Sequence, residues 1–244
     1  MSTIESVEAT PETPTKYYGF SSLVSGFGKM WRSFIPAFVF GLVNAIVQGA
    51  LVLGDPTPGF DFLFIIGAIA SMIVLWATFA ILTACALGAA EGKVSFGDAI
   101  ARVKANLVKY LLWTALLTIV YTIGVILYIV PGTIIAAITP FVAIAAMDGQ
   151  SNPLGANFRV IGKRFFRWLI TVIIVGIIIG VVWFFGLLNT VFIGGMAGSI
   201  LYWLVFGFLG WWFLTSLALI YRSVESGSDS PAAGDVDVAQ GSAE

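Results

Sequence analysis

Residues 168–221 read WLITVIIVGIIIGVVWFFGLLNTVFIGGMAGSILYWLVFGFLGWWFLTSLALIY, a run of 54 residues without Asp, Glu, Lys or Arg. A helix needs about 20 apolar residues to cross the hydrocarbon core of a bilayer. The run is therefore long enough for two transmembrane helices, which we place at residues 168–188 and 196–221. Asn189 and Gly194-Gly195 mark the join, because asparagine and glycine favour turns.

Three further uncharged segments precede this run, at residues 33–54, 62–90 and 110–147. The first two hold one helix each. The third predicts a hairpin, with helices at about 110–130 and 133–147, because Pro131-Gly132 interrupts the helical ladder. A re-entrant loop would fit the same flanks, since the second arm is short and contains Pro140. The sequence thus predicts an all-α, polytopic membrane protein with six transmembrane helices arranged as three hairpins.

The composition supports a membrane protein and argues against several kinds of chemistry. Apolar residues make up 59% of the chain and charged residues 10%, whereas soluble domains carry about 25% charge. The net charge of −1 gives no general basic field for nucleic acid. Histidine is absent, and the single cysteine, Cys85, lies in an apolar run. We therefore expect no metal, no cofactor and no catalytic centre.

The distribution of basic residues predicts the orientation. All 12 Lys and Arg residues lie before the first span, after the last one, or in the loops on that same side. The loop on the opposite side receives only Asp55 and Asp61. Because cytoplasmic loops carry the excess of Lys and Arg, the sequence predicts a protein of the plasma membrane with both termini in the cytoplasm.

Three stretches of the chain resemble one another, at residues 20–35, 96–111 and 154–169. They superpose without gaps, and their shared apolar positions step by 3, 4 and 3, which is the spacing of one helical face. Such a pattern is typical of an amphipathic helix at a membrane surface. The sequence therefore predicts a cytoplasmic interfacial helix before each hairpin, at 20–34, 96–109 and 154–167. The alternative is that any short basic segment before a span looks like this.

Local start signals favour helices at two of these stretches. Ser95-x-x-Asp98 has the form of a capping box. Asn152-Pro153 offers an N-cap followed by proline at the first helical position. Residues 1–15 and 223–244 have no apolar face to bury, so we expect disordered acidic tails around a single membrane domain at 16–222.

Three groups of residues are candidate sites. A basic group in the third repeat, suited to anionic lipid head groups or to the topology signal alone, comprises Arg159, Lys163, Arg164 and Arg167. A small-residue group, suited to helix packing within the molecule or to an oligomer interface, comprises Gly176, Gly180, Gly194 and Gly198. Asn44 and Gln48 share a helical face and could line a polar cavity or form interhelical hydrogen bonds.

The stretch Val130-Pro131-Gly132-Thr133-Ile134, followed by Pro140, by Asp148-Gly149 and by the basic helix ending at Trp168, carries a family resemblance. It resembles the membrane domain attached to some bacterial glycerophosphodiester phosphodiesterases, and related stand-alone six-helix membrane proteins of unknown function. The likeness covers about residues 90–220. It implies a fold of alternating surface helices and hairpins and a membrane role, without the activity of the phosphodiesterase domain, which has no counterpart here.

Two classes of function follow. The first is a non-enzymatic accessory subunit or scaffold of a larger cell-membrane complex, respiratory or related to lipids and the envelope, with other integral membrane proteins and anionic lipids as partners. The second is a transporter or lipid-handling protein for a neutral solute or a phospholipid. The predicted spans contain no ionisable acid or base, which argues against an ion or proton carrier.

Overall fold

The structure, a computed structural model, describes residues 20–51, 62–92, 94–127, 129–163, 165–192 and 195–225. The α-helices are α1 Phe20–Met30, α2 Phe34–Leu51, α3 Phe62–Glu91, α4 Phe96–Leu127, α5 Ile129–Ile138, α6 Val142–Met147, α7 Pro153–Lys163, α8 Phe165–Phe192 and α9 Gly195–Glu225. A 3₁₀ turn, Trp31–Ser33, joins α1 to α2. The prediction of an all-α protein is confirmed for this part of the chain. The proposed N-terminal tail lies outside it, and α9 continues three residues into the proposed C-terminal tail.

Five helical stretches are long and apolar enough to cross a membrane. They are Phe20–Leu51, Ile65–Glu91, Phe96–Leu127, Trp168–Gly186 and Gly195–Glu225. Their outward faces carry large apolar side chains such as Ile73, Leu112 and Ile177, which are more than half exposed. A face of this kind needs an apolar solvent, so the chain has the character of a multi-pass membrane protein.

The segment expected to form one helix at 133–147 is divided into α5 and α6. That expectation is wrong because the helix ends before Pro140, at a turn over residues 139–141. The two short helices nevertheless return alongside α4. At one end a Cβ on Gly124 would lie 3.0 Å from the Cα of Gly132, and at the other end Lys109 Nζ donates to the carbonyl of Gly149 over 2.7 Å.

The second expected surface helix does not exist as a separate element. α4 runs without interruption from Phe96 to Leu127, so the break expected between residues 109 and 110 is wrong. A helix can begin with an amphipathic stretch and continue with an apolar one. No residue between Lys109 and Leu112 breaks a helix.

The first expected surface helix, α1, packs against α9 and continues through the 3₁₀ turn into α2, so that residues 20–51 form one helical stretch. Trp212 of α9 donates to the carbonyl of Leu23 over 2.7 Å, and the neighbouring Trp211 donates to Ser33 Oγ over 3.1 Å. Gly26 meets Ser216 of α9, so the contacts move along α9 toward its N-terminal end as the chain passes from α1 into α2. α2 then follows α9, and Gly49 packs against Ile200.

The third expected surface helix, α7, is present. Ile161 and Trp168 are buried in the protein, whereas Phe158 and Phe165 are about half exposed. The buried face includes Asn157, which is fully enclosed. One face of α7 therefore packs into the helix bundle, and the opposite face lies at the surface of the bundle.

The core lies at the end of the bundle where α3 and α9 finish and α4 begins. α6 is buried there among residues of α3, α4, α7 and α9, including Leu87, Tyr110, Val160 and Tyr221. Toward the other end, α8 exposes Val181, Phe184 and Phe185. Tight packing is thus concentrated where the charged residues are.

Candidate functional site: a charged cluster at one end of the bundle

Four charged side chains from distant parts of the sequence meet at this end. Arg222, near the end of α9, donates from Nη1 to Asp148 Oδ2 over 3.0 Å and pairs through Nη2 with both Asp148 and Glu91. Arg102 of α4 binds Glu91 with two hydrogen bonds, of 3.2 and 2.6 Å. We call Glu91, Arg102, Asp148 and Arg222 the charged cluster; it joins α3, α4, α9 and the turn after α6.

The end of α3 and the start of α4 place Glu91 and Arg102 of the charged cluster. Glu91 is the last residue of α3. α4 starts soon afterwards at the capping box, in which Ser95 and Asp98 bind each other's backbone N–H groups over 3.0 and 3.2 Å. This start sets Arg102 one turn beyond Asp98 and within reach of Glu91. The predicted capping box is confirmed.

The turn that carries Asp148 is held from two sides. Tyr221 donates its hydroxyl proton to Asp148 Oδ2 over 3.1 Å, and Lys109 binds the carbonyl of Gly149. Gly149 has a φ of +85°, which glycine adopts without strain. The Asp148 side chain is 13% exposed and that of Arg222 32%, so the pair is partly withdrawn from water.

Every carboxylate in the described part of the chain has a partner within the molecule. Glu91 and Asp148 belong to the charged cluster, Asp98 to the capping box, and Glu225 pairs with Arg159 at 3.3 Å. Within the described residues, no three His, Cys, Asp or Glu side chains are grouped to hold a metal ion. The chemistry that this arrangement offers is ion pairing between helices.

A second polar arrangement closes the break between α5 and α6. The side chain of Asn157 donates to the carbonyl of Ile138 over 2.7 Å and accepts from the backbone N–H of Phe141 over 3.0 Å. Trp168 donates from Nε1 to the carbonyl of Ala137 over 3.0 Å. Backbone groups freed by a helix break at membrane depth must find partners in the protein, and α7 and α8 supply them here.

The structure describes only part of the predicted basic group. Arg159 and Lys163 are exposed, and Arg159 reaches Glu225. Arg164 lies outside the described residues, and of Arg167 only its place in α8 is described. Head-group binding at these residues stays a prediction.

The predicted packing glycines differ in their surroundings. Gly176 and Gly180 are exposed on α8, and a Cβ on either would meet no atom within 4 Å. Among the described residues no helix packs against that face of α8, and the packing role of these two glycines stays a prediction. Gly198 is buried, and Gly194 lies outside the described residues. Other glycines make the close contacts: Gly26 meets Ser216, Gly49 meets Ile200, and Gly186 meets Tyr202.

Asn44 and Gln48 lie at the contact between α2 and α3, where both are buried. Ser71 donates to Gln48 Oε1 over 2.8 Å, and Gln48 donates weakly to Asn44 Oδ1 over 3.4 Å. The Ser71 contact favours interhelical hydrogen bonding for Gln48 over the lining of a cavity, whereas the bond to Asn44 lies within α2.

Comparison with known proteins adds no relative. Searches of protein-family models, of curated proteins and of solved structures each found no match. The fold therefore defines the class by itself: an all-α chain with five helices that could cross a membrane, which suggests a multi-pass membrane protein.

Proposed function

We propose that this chain is a non-enzymatic, multi-pass membrane protein that acts through contacts, as an accessory subunit or scaffold of a larger cell-membrane complex. The observation that carries this proposal is the pairing of every described carboxylate inside the molecule. An enzyme needs an acid, base or nucleophile poised toward a substrate. Here the charged side chains bind one another and hold helices together.

The proposed topology has six crossings, with α5 and α6 together forming a broken sixth one. Contacts at Gly124–Gly132 and at Lys109–Gly149 support it. Between these contacts α4 rises by about 22 Å over 15 residue steps, and the return arm spans the same two contacts in 17 steps with a break at residues 139–141. The return arm thus covers the same depth as the facing part of α4. We propose that the end with the charged cluster faces the cytoplasm, since Arg32, Arg102, Arg159 and Arg222 all lie there.

The family resemblance also remains a proposal. Its support in this chain is the order of three features, which matches the order that suggested the likeness: Pro131-Gly132 in α5, the helix break at Pro140, and Asp148-Gly149.

Purification with surrounding lipid, extracted by a nanodisc-forming polymer and analysed by mass spectrometry, tests the proposed function. We expect at least one integral membrane protein to co-purify in a fixed ratio with this chain. Isolation of the folded chain alone, from cells where its deletion has a phenotype, would contradict the scaffold proposal. The matched control is the same preparation from cells expressing an untagged chain.

A lipid-handling function is the second candidate, supported by an apolar crevice of about 200 Å³ beside α8. α8 contributes Val175 and Ile178 to its walls, and α9 contributes Phe206 and Phe213. A transfer assay between donor and acceptor vesicles distinguishes this candidate: faster exchange of a fluorescent phospholipid when the chain is present would favour lipid handling over the scaffold.

A further inference from the structure

The end of α9 lies beside the basic group on α7. Arg159 pairs with Glu225, the last residue of α9, at 3.3 Å, and the Arg159 side chain is 50% exposed. Lys163 follows Arg159 by four positions and is also exposed. Helix positions with this spacing are neighbours on one face. The chain therefore leaves α9 about one helical turn away from an exposed lysine.

Lys163 has no carboxylate partner in the described part of the chain. The ion pairs and the capping box account for every described carboxylate, and none of these contacts includes Lys163. Arg164 and Arg167 follow Lys163 in the sequence, so positive charge accumulates here. A negative counter-charge for this stretch has to come from the rest of the chain or from another molecule.

Residues 226–244, which follow α9, carry charge of the opposite sign. They contain four acidic residues and no Lys or Arg; the acidic residues are Asp229, Asp235, Asp237 and Glu244. An extended chain spans up to about 3.5 Å per residue, so Asp229, four residues beyond Glu225, can lie about 14 Å from it. Lys163 is only about 6 Å along α7 from Arg159. The first acid after α9 is therefore within reach of Lys163.

We propose that residues 226–244 dock on the basic group of α7 and neutralise Lys163, as Glu225 neutralises Arg159. The attachment to α9 gives these carboxylates an effective concentration of about a millimolar at the basic group. An anionic lipid head group offers similar charge, but residues 226–244 bring four carboxylates and begin at the site itself. Docking shields the basic group from other anions, and it does not depend on the proposed scaffold function.

Carbodiimide coupling tests this contact, because the reagent joins a carboxylate to a lysine amine only where the two touch. The chain is placed in phosphatidylcholine nanodiscs and coupled, and the joined peptides are mapped by mass spectrometry. We expect Lys163 to couple to residues 226–244 about fivefold more than Lys104 does. Lys104 is the matched control: it is exposed on α4, about 200° around the helix from Arg102 and the charged cluster.

Salt and a charge-removing variant identify the cause of the coupling. Exposed charges are screened beyond about 3 Å in 1 M salt, so the yield at Lys163 should fall when NaCl is raised to that level. The triple variant Asp229→Asn, Asp235→Asn and Asp237→Asn should lower the yield about fivefold. All three positions follow the last residue of α9, so the variant leaves the described helices unchanged.

The matched control variant removes the acids that precede α1, through Glu5→Gln, Glu8→Gln and Glu12→Gln, and should leave the coupling at Lys163 unchanged. Equal coupling of Lys163 and Lys104, or a yield that falls only in this control variant, would overturn the proposal. Loss of the coupling when phosphatidylglycerol is added to the nanodiscs would assign the basic group to lipid head groups instead, and would overturn it as well.

Discussion

At the scale of single residues, Arg222 joins α9 to α3 and to the turn after α6. It pairs with two carboxylates that belong to different elements. Removal of the arginine would leave Asp148, whose side chain is 13% exposed, without its opposing charge. An uncompensated charge of this kind is destabilising, although the exposed part of the cluster reduces the effect.

Arg222→Gln should therefore lower the free energy of unfolding by about 2 kcal/mol, measured by thermal unfolding in a mild detergent. Arg159→Gln is the matched control. Its half-exposed pair with Glu225 should contribute less than about 0.5 kcal/mol. Equal losses from the two variants would show that the charged cluster has no special role in stability.

The interactions that could be predicted from the sequence at this scale are local ones. The Ser95–Asp98 capping box and the N-cap of Asn152, which accepts from the N–H of Gly155 over 2.9 Å, follow from residues three positions apart. The charged cluster could not be predicted in the same way. Its members Glu91 and Arg222 are 131 positions apart, and no spacing rule relates them.

At the scale of elements, the break between α5 and α6 depends on a residue from another helix. The sequence pattern predicts the break at Pro131-Gly132, but both residues lie within α5 and the helix ends before Pro140. The role of Asn157 depends on how α7 packs, and the only signal in the sequence is a polar residue among the apolar positions of an amphipathic helix. The buried Asn157 binds both sides of the break.

Asn157→Leu should remove both hydrogen bonds while keeping the volume, leaving a buried N–H and a buried C=O without these partners. We expect a loss of about 3 kcal/mol in stability, seen by thermal unfolding and by faster hydrogen exchange at residues 138–142. Asn152→Ala, which removes only an exposed N-cap, should cost about 1 kcal/mol. Exchange at 138–142 that is unchanged in the Leu variant would mean that Asn157 does not hold the break.

The contacts between helices also identify which glycines matter. Gly49→Leu should disrupt the α2–α9 contact, because even a Cβ there would overlap Ile200, and overpacking of this kind costs about 3 kcal/mol. Gly176→Leu, on the open face of α8, should leave the unfolding temperature of the isolated chain nearly unchanged. The reverse order of effects would contradict the packing described here.

At the scale of the whole molecule, the spans could be read from the sequence because hydropathy is a property of each segment alone. Residues 168–221 divide into α8 and α9 near the predicted glycine pair, where Gly195 has a φ of +58°. The surface helices were less predictable. An amphipathic pattern at 96–109 does not reveal whether the helix stops or continues, and only the structure shows α4 to be continuous.

The central claim for the whole molecule is that the chain crosses the membrane six times with its charged end in the cytoplasm. Single cysteines in a Cys85→Ser background, probed with an impermeant maleimide on intact cells, test it most directly. We predict labelling at Thr57→Cys and at Tyr128→Cys, and labelling at Ser151→Cys only after permeabilisation. Labelling of Ser151→Cys on intact cells would show that α5 and α6 do not return across the membrane, and would contradict both the sixth crossing and the orientation.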